Sequence, residues 1–157
     1  MAAQAEWLGW ARAWLRARGS AWEEDGGDAD TIFRIDDGVP GRWHDYLQVH
    51  VRTGQVTFIS IFEEHVPPEA RAPVAEYVLR ASYGMNSGTF DMDVDDGEVR
   101  FRSGVGLGEA HLEEHQFGAV LDELARTNEA MTSGYLPGLV SVIGGQPPVT
   151  AVRAAEG

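Results

Sequence analysis

The chain has 157 residues, no cysteine, and a formal charge of −13 at pH 7 from 25 acidic and 12 basic side chains. That length supports a single domain with its own core, and the missing thiols exclude disulfide staples, cysteine-based zinc sites and thiol catalysis. The negative field disfavours direct nucleic-acid binding, and with no signal-peptide order and no apolar run of spanning length the expectation is a cytoplasmic protein without membrane contact.

Trp7, Trp10 and Trp14 recur at helical spacing with Ala11 and Leu15, which predicts a first helix that stops at Gly19. Residues 21–30, AWEEDGGDAD, are acidic and glycine-rich and read as a loop with room for one short strand. Thr31–Ile35 is a short strand closed by Asp36-Asp37-Gly38. After Pro40-Gly41, Trp43, Leu47, Val49 and Val51 fall on one face of a strand, with His44, Tyr46, Gln48 and His50 on the other. Thr53-Gly54 then turns the chain into QVTFISIFEEH, a strand rich in β-branched and aromatic residues.

A second helix is predicted from about Pro68 to Asn86. It has one apolar stripe at Ala70, Val74, Tyr77, Val78, Ala81 and Met85, and a second at Ala72, Ala75, Leu79 and Tyr83. Either both sides of this helix are covered, one of them by a second subunit, or the helix lies inside one large core. FDMDVDDGEVRFR follows. Counted as a calcium loop from Asp91, it has Asp96 where the glycine belongs and Arg102 where the bidentate glutamate belongs. As a hairpin about a type I′ Asp96-Gly97 turn, it pairs Val94 with Val99, Met92 with Phe101, Asp93 with Arg100 and Asp91 with Arg102.

The glycine-broken SGVGLGEA reads as a strand-to-helix turn; its G-x-G-x-G lacks the βαβ setting of a dinucleotide site. A third helix runs from about Ala110 with Leu112, Phe117, Val120, Leu121, Leu124, Ala125 and Met131 as its core series, and Gly134 and Pro137 interrupt or end it. Residues 1–145 thus form one domain, and 146–157 read as a C-terminal tail. The order is helix, three strands, helix, two strands, helix, which places the chain in the α+β class with helices flanking an antiparallel sheet.

His111-Leu112-Glu113-Glu114-His115 matches the H-x-x-E-H pattern of inverzincin metalloproteases. On a helix, His111 and His115 share a face and Glu114 stands beside them as a base, which gives a metal-dependent hydrolase as the alternative function. A third ligand is unmarked, and His and Glu at a helix start are ordinary surface residues favoured by the dipole. Trp7, Trp10 and Trp14 either pack the core or form a partner-binding surface; the sequence does not separate the two.

One resemblance joins these elements. The run VPPEARAPVAEYVLRASYGMNSGTFDMDVDDGEVRFRSG, Val66–Gly104, and the phrase YLPGLVSVI, Tyr135–Ile143, resemble the YbjN family of bacterial proteins. That resemblance implies a fold like that of type III secretion chaperones, with a five-stranded antiparallel sheet, homodimers that hold client segments, a role in stress responses and regulation, no cofactor and no catalytic residues. The expected protein is therefore a non-enzymatic, chaperone-like, homodimeric binding module for a client or regulatory partner. Ala72, Ala75, Leu79 and Tyr83 are the expected dimer contact, and Trp7, Trp10 and Trp14 or a sheet edge the expected client contact.

Overall fold

A computed structural model of the chain describes residues 4–37 and 41–157. Its sheet grows from the period-2 patterns of the sequence. On β4 (Gln55–Phe62), Val56, Phe58 and Phe62 point inward, and on β6 (Val99–Gly106) Val99 and Phe101 do the same. β2 (Asp30–Asp36) and β3 (Trp43–His50) add Phe33, Leu47 and Val49 to the same face. With β1 (Ala21–Gly26) and β5 (Thr89–Met92), six antiparallel strands pair in the order β1-β2-β3-β4-β6-β5. The opposite face presents His44, Tyr46, Gln48, Thr57 and Arg102.

The α+β class and the antiparallel sheet with flanking helices are as expected, but there are six strands and not five. The extra one is β1, formed by AWEEDG, residues 21–26. It is an edge strand with mostly exposed side chains, so it carries no apolar alternation for a sequence reading to find. Its ladder to β2 and a bidentate Arg12–Glu24 pair at 2.8 and 2.9 Å hold it in place. The closing Asp36-Asp37-Gly38 turn runs into residues 38–40, outside the described residues.

Four helices cover the inner face. α1 (Trp7–Ala17) ends as predicted at Gly19, whose φ of 74° lets the Gly19 and Ser20 N–H groups reach back to the Arg16 and Leu15 carbonyls. α2 spans Arg71–Ser82 after a 3-10 turn at Pro68–Ala70. α3 runs unbroken from Glu114 to Ile143, through Gly134 and Pro137, which therefore neither end nor interrupt it. An internal proline costs a helix about 3 kcal/mol; burial of Leu139 and Val142 beyond it holds the last turns in place. The Tyr77 hydroxyl also donates to the Tyr135 carbonyl at 2.7 Å. α4 (Pro148–Glu156) replaces the expected tail: it begins at Pro148 and buries Ala151 and Val152 against α2 and α3.

The inner face holds two apolar clusters. α1 and the first half of α3 pack on β2–β4; α2, the rest of α3 and α4 pack around Phe62, Phe90, Val99 and Phe101. A polar seam parts them. Asn128 of α3 donates to the Phe58 and Phe101 carbonyls at 3.2 and 3.3 Å and to Ser60 Oγ at 3.0 Å, and it accepts from Ser103 Oγ at 2.5 Å. A buried amide left unpaired costs about 1–3 kcal/mol, so this pairing fixes the height of α3 over β4 and β6.

The charged hairpin forms with a register two residues from that expected. Met92 faces Val99, Phe90 faces Phe101 and Asp91 faces Arg100, which leaves residues 93–98 as the loop. A shift of two keeps every side chain on its face, but it sends Val94 out to 60% exposure. No described non-glycine residue has positive φ, so Asp96 does not supply the type I′ geometry. Asp93 and Asp96 instead accept from the backbone N–H groups of Asp95 and Glu98 at 2.9 and 2.8 Å. Arg71 gathers the loop by donating to the carbonyls of Val66, Asp95 and Asp96 at 2.7–3.0 Å. Gly97, with φ 87°, lies so close to Val66 that a Cβ there would stand 2.3 Å from its carbonyl oxygen. Asp91 pairs with both Arg100 and Arg102, at 2.5 and 2.8 Å.

Candidate protein-binding surface

The two stripes of α2 meet opposite fates. Ala70, Val74, Tyr77, Val78 and Ala81 are buried in the second apolar cluster. On the other stripe Ala72 is exposed and Ala75 half-buried, while Leu79 and Tyr83 stand 73% and 92% exposed. α2 is thus covered on one side only within this chain. Tyr83 caps the helix in extended backbone just before Gly84 (φ 84°), so its ring projects from the last turn. Single exposed apolar side chains are ordinary; a contiguous set marks a contact surface.

Leu79 and Tyr83 are contiguous with α4. Together with Arg80, and with Val149, Val152, Arg153 and Glu156 across from them, they line a groove of about 460 Å³. Arg80 is paired with Glu76 at 2.8 Å, and Glu156 accepts from the Tyr135 hydroxyl at 3.2 Å. Burial, with the nearby Glu156 adding to it, raises the Tyr135 pKa, so the phenol stays protonated as that donor. Val149, Val152, Arg153 and Glu156 are the site residues that sequence reasoning missed. Their signal was Pro147-Pro148, the second proline suited to a first helical turn, ahead of Val149 and Val152 at i and i+3.

Trp7, Trp10 and Trp14 fall on the core side of the alternative left open by the sequence. Trp7 is fully buried and Trp14 nearly so, and the Trp7 and Trp10 rings lie 5.3 and 5.8 Å from that of Phe117. Trp14 Nε1 donates to Asp122 at 2.8 Å, which locks α1 to α3. Packing of this kind leaves Trp10 half-buried and Trp14 with 8% of its surface exposed.

The H-x-x-E-H geometry does not form. α3 begins at Glu114, four residues later than expected, and its N-cap is Glu113 in a capping box with Gln116. His111 therefore lies ahead of the helix and does not share a face with His115. His115 faces Glu113 at 3.3 Å instead. Among the described residues, no group of three or more His, Asp or Glu side chains is arranged to hold a metal ion.

A second concavity, about 940 Å³, lies at the end of β2 and β3, with Arg18, Trp22, Asp37, Trp43, Asp45 and Glu129 in its walls. Asp45 accepts from Ser60 at 2.5 Å, which extends the Asn128 seam to the cleft. Burial raises its pKa; Asp37 and Glu129 add to the rise, while Ser60 and Arg18 oppose it.

The family model YbjN, described as "putative bacterial sensory transduction regulator", matches residues 12–132. No curated protein matches the chain in sequence. Among solved structures, the crystal structure of YbjN from E. coli, "a putative transcription regulator", superposes with a TM-score of 0.55 at 16% identity. It covers 87% of each chain, a likeness of fold. No helix among the described residues is long and apolar enough to cross a membrane.

Proposed function

Because the chain belongs to the YbjN family, we propose that it is a non-enzymatic, chaperone-like regulatory module of the bacterial cytoplasm that works by binding protein, as a homodimer assembled through the free stripe of α2. The observation that carries this reading is the exposure of Leu79 and Tyr83, a leucine and a tyrosine held in water on one helix whose other stripe is buried from Ala70 to Ala81. Fully burying a leucine-sized side chain stabilises a contact by about 1.5–3 kcal/mol, and tyrosine is among the residues that anchor interfaces. With the tryptophans of α1 committed to the core, the client surface is the free edge of β1, where an extended segment adds as a strand. A net charge of −13 argues against nucleic acid as the partner; the family's description supports a regulatory role, to which this reading adds a link to stress.

Light scattering tests the assembly. The expected mass is twice 17.1 kDa, and Leu79→Asp is expected to give a folded chain of half that mass at the same concentration. A Leu79→Asp protein that remains a dimer removes α2 from the contact.

A further inference from the structure

We infer that α4 forms the second half of that dimer contact: the two-fold interface is built from α2 and α4 together, and Tyr83 of each copy seats over Val149 and Val152 of the other. This rests on the dimer reading above and adds to it a helix that lies outside the 12–132 segment matched by the family model.

Three features select a second copy of this chain as the occupant. The first is self-complementarity. A two-fold contact needs a projection and a recess on the same face; here the exposed Tyr83 and Leu79 line the same groove as the half-buried Val149, with the buried Val152 at its base. At about 460 Å³ the recess lies within the roughly 300–1,000 Å³ range of surface sites that enclose a guest group.

The second is charge. Each copy carries −13, so most pairings of its surfaces set acid against acid. The α2–α4 face is balanced, with Arg80 and Arg153 beside Glu76 and Glu156. A two-fold pairing of a balanced face sets no net charge against a like one, and this face therefore escapes the repulsion that opposes association elsewhere.

The third is size. α2 has 12 residues and is about 18 Å long. One stripe of it falls short of the roughly 800 Å² that each partner contributes to a stable interface. α4 lies alongside and widens the apolar face without any rearrangement.

The test compares three variants of the full chain by light scattering across a dilution series, with circular dichroism melts as the fold check: Leu79→Asp, Val149→Asp, and the double variant Arg80→Glu/Arg153→Glu. Val149 is half-buried in the first turn of α4, and both arginines lie on the surface. The expected result is at least a tenfold rise in the dimer Kd for Val149→Asp with an unchanged melt. The double variant is expected to weaken the dimer at low salt and to recover in 1 M salt, where the screening length falls to about 3 Å. If Leu79→Asp gives monomers while the other two variants dimerise like the parent, α4 is outside the interface and the α2 reading stands alone. If all three dimerise like the parent, or the parent is itself a monomer, both readings fall. Should Val149→Asp disturb the melt, the double variant decides: full dimerisation at low salt overturns the assignment of α4.

Discussion

Two glycines one turn apart on α3 show how far a single residue's fate depends on its neighbour. A Cβ at Gly138 would stand 2.3 Å from the Tyr77 hydroxyl oxygen, whereas one at Gly134 would meet nothing within 4 Å. Gly138→Ala is therefore expected to destabilise the fold by about 1–3 kcal/mol through overpacking. Gly134→Ala is expected to stabilise it by about 0.5–1 kcal/mol through backbone entropy and helix propensity. Urea melts of the two variants check the pair, and equal effects would contradict it. Asp45 makes a prediction with a sign. Burial raises its carboxyl above the ordinary aspartate value of 3.8, so the folded state holds this proton more tightly than the unfolded chain does. Its contribution favours the fold at low pH and is lost as pH climbs from 3.8 through the folded value, which leaves the ionised group a cost at neutrality. Asp45→Asn should consequently raise the melting temperature at pH 7, and that gain should shrink as pH falls through the folded value and be gone by about pH 3.8. A neutral-pH melting temperature that falls in this variant would show the carboxylate to be stabilising.

At the scale of elements, α4 separates a packed helix from a loose end. Truncation after Gln146 removes the buried side chains of Ala151 and Val152 and uncovers the α2–α3 seam. It should cost about 2–3 kcal/mol when measured by urea in the Leu79→Asp background, where dimerisation does not enter; an unchanged midpoint would restore the tail. The elements that strong periodicity marks were legible: α1 with its Gly19 stop, the inner faces of β3 and β4, and both stripes of α2. β1 was not, because an edge strand paired on one side needs no buried face and its acids look like loop. α4 was not, because nine residues behind Gly144-Gly145-Gln146 and a Pro-Pro pair look like a tail, although Val149 and Val152 stand at helical spacing. Continuity of α3 through Pro137 was also hidden, since tertiary packing of Leu139 and Val142 overrides a local breaker. The hairpin's faces were legible and its register was not: Arg71, 24 residues before Asp95, anchors the loop. For the candidate surface, Leu79 and Tyr83 could be named from spacing alone, while the α4 wall opposite them required the fold.

Considered whole, the molecule combines a strong negative charge with one balanced, apolar face. Added salt screens the repulsion between two copies of −13, so the dimer mass expected from light scattering should persist as ionic strength rises. Association through a strongly charged contact would behave in the opposite way. Behind that face runs α3, whose 30 residues make a rod about 45 Å long. Its far half packs with α2 and α4, its near half lies under α1, and Asn128 holds its middle to β4 and β6. One unbroken helix therefore ties the α2–α4 face to the Trp14–Asp122 bond on the other arm. The two apolar clusters share that helix as a common spine, so neither can be repacked along α3 without bearing on the other.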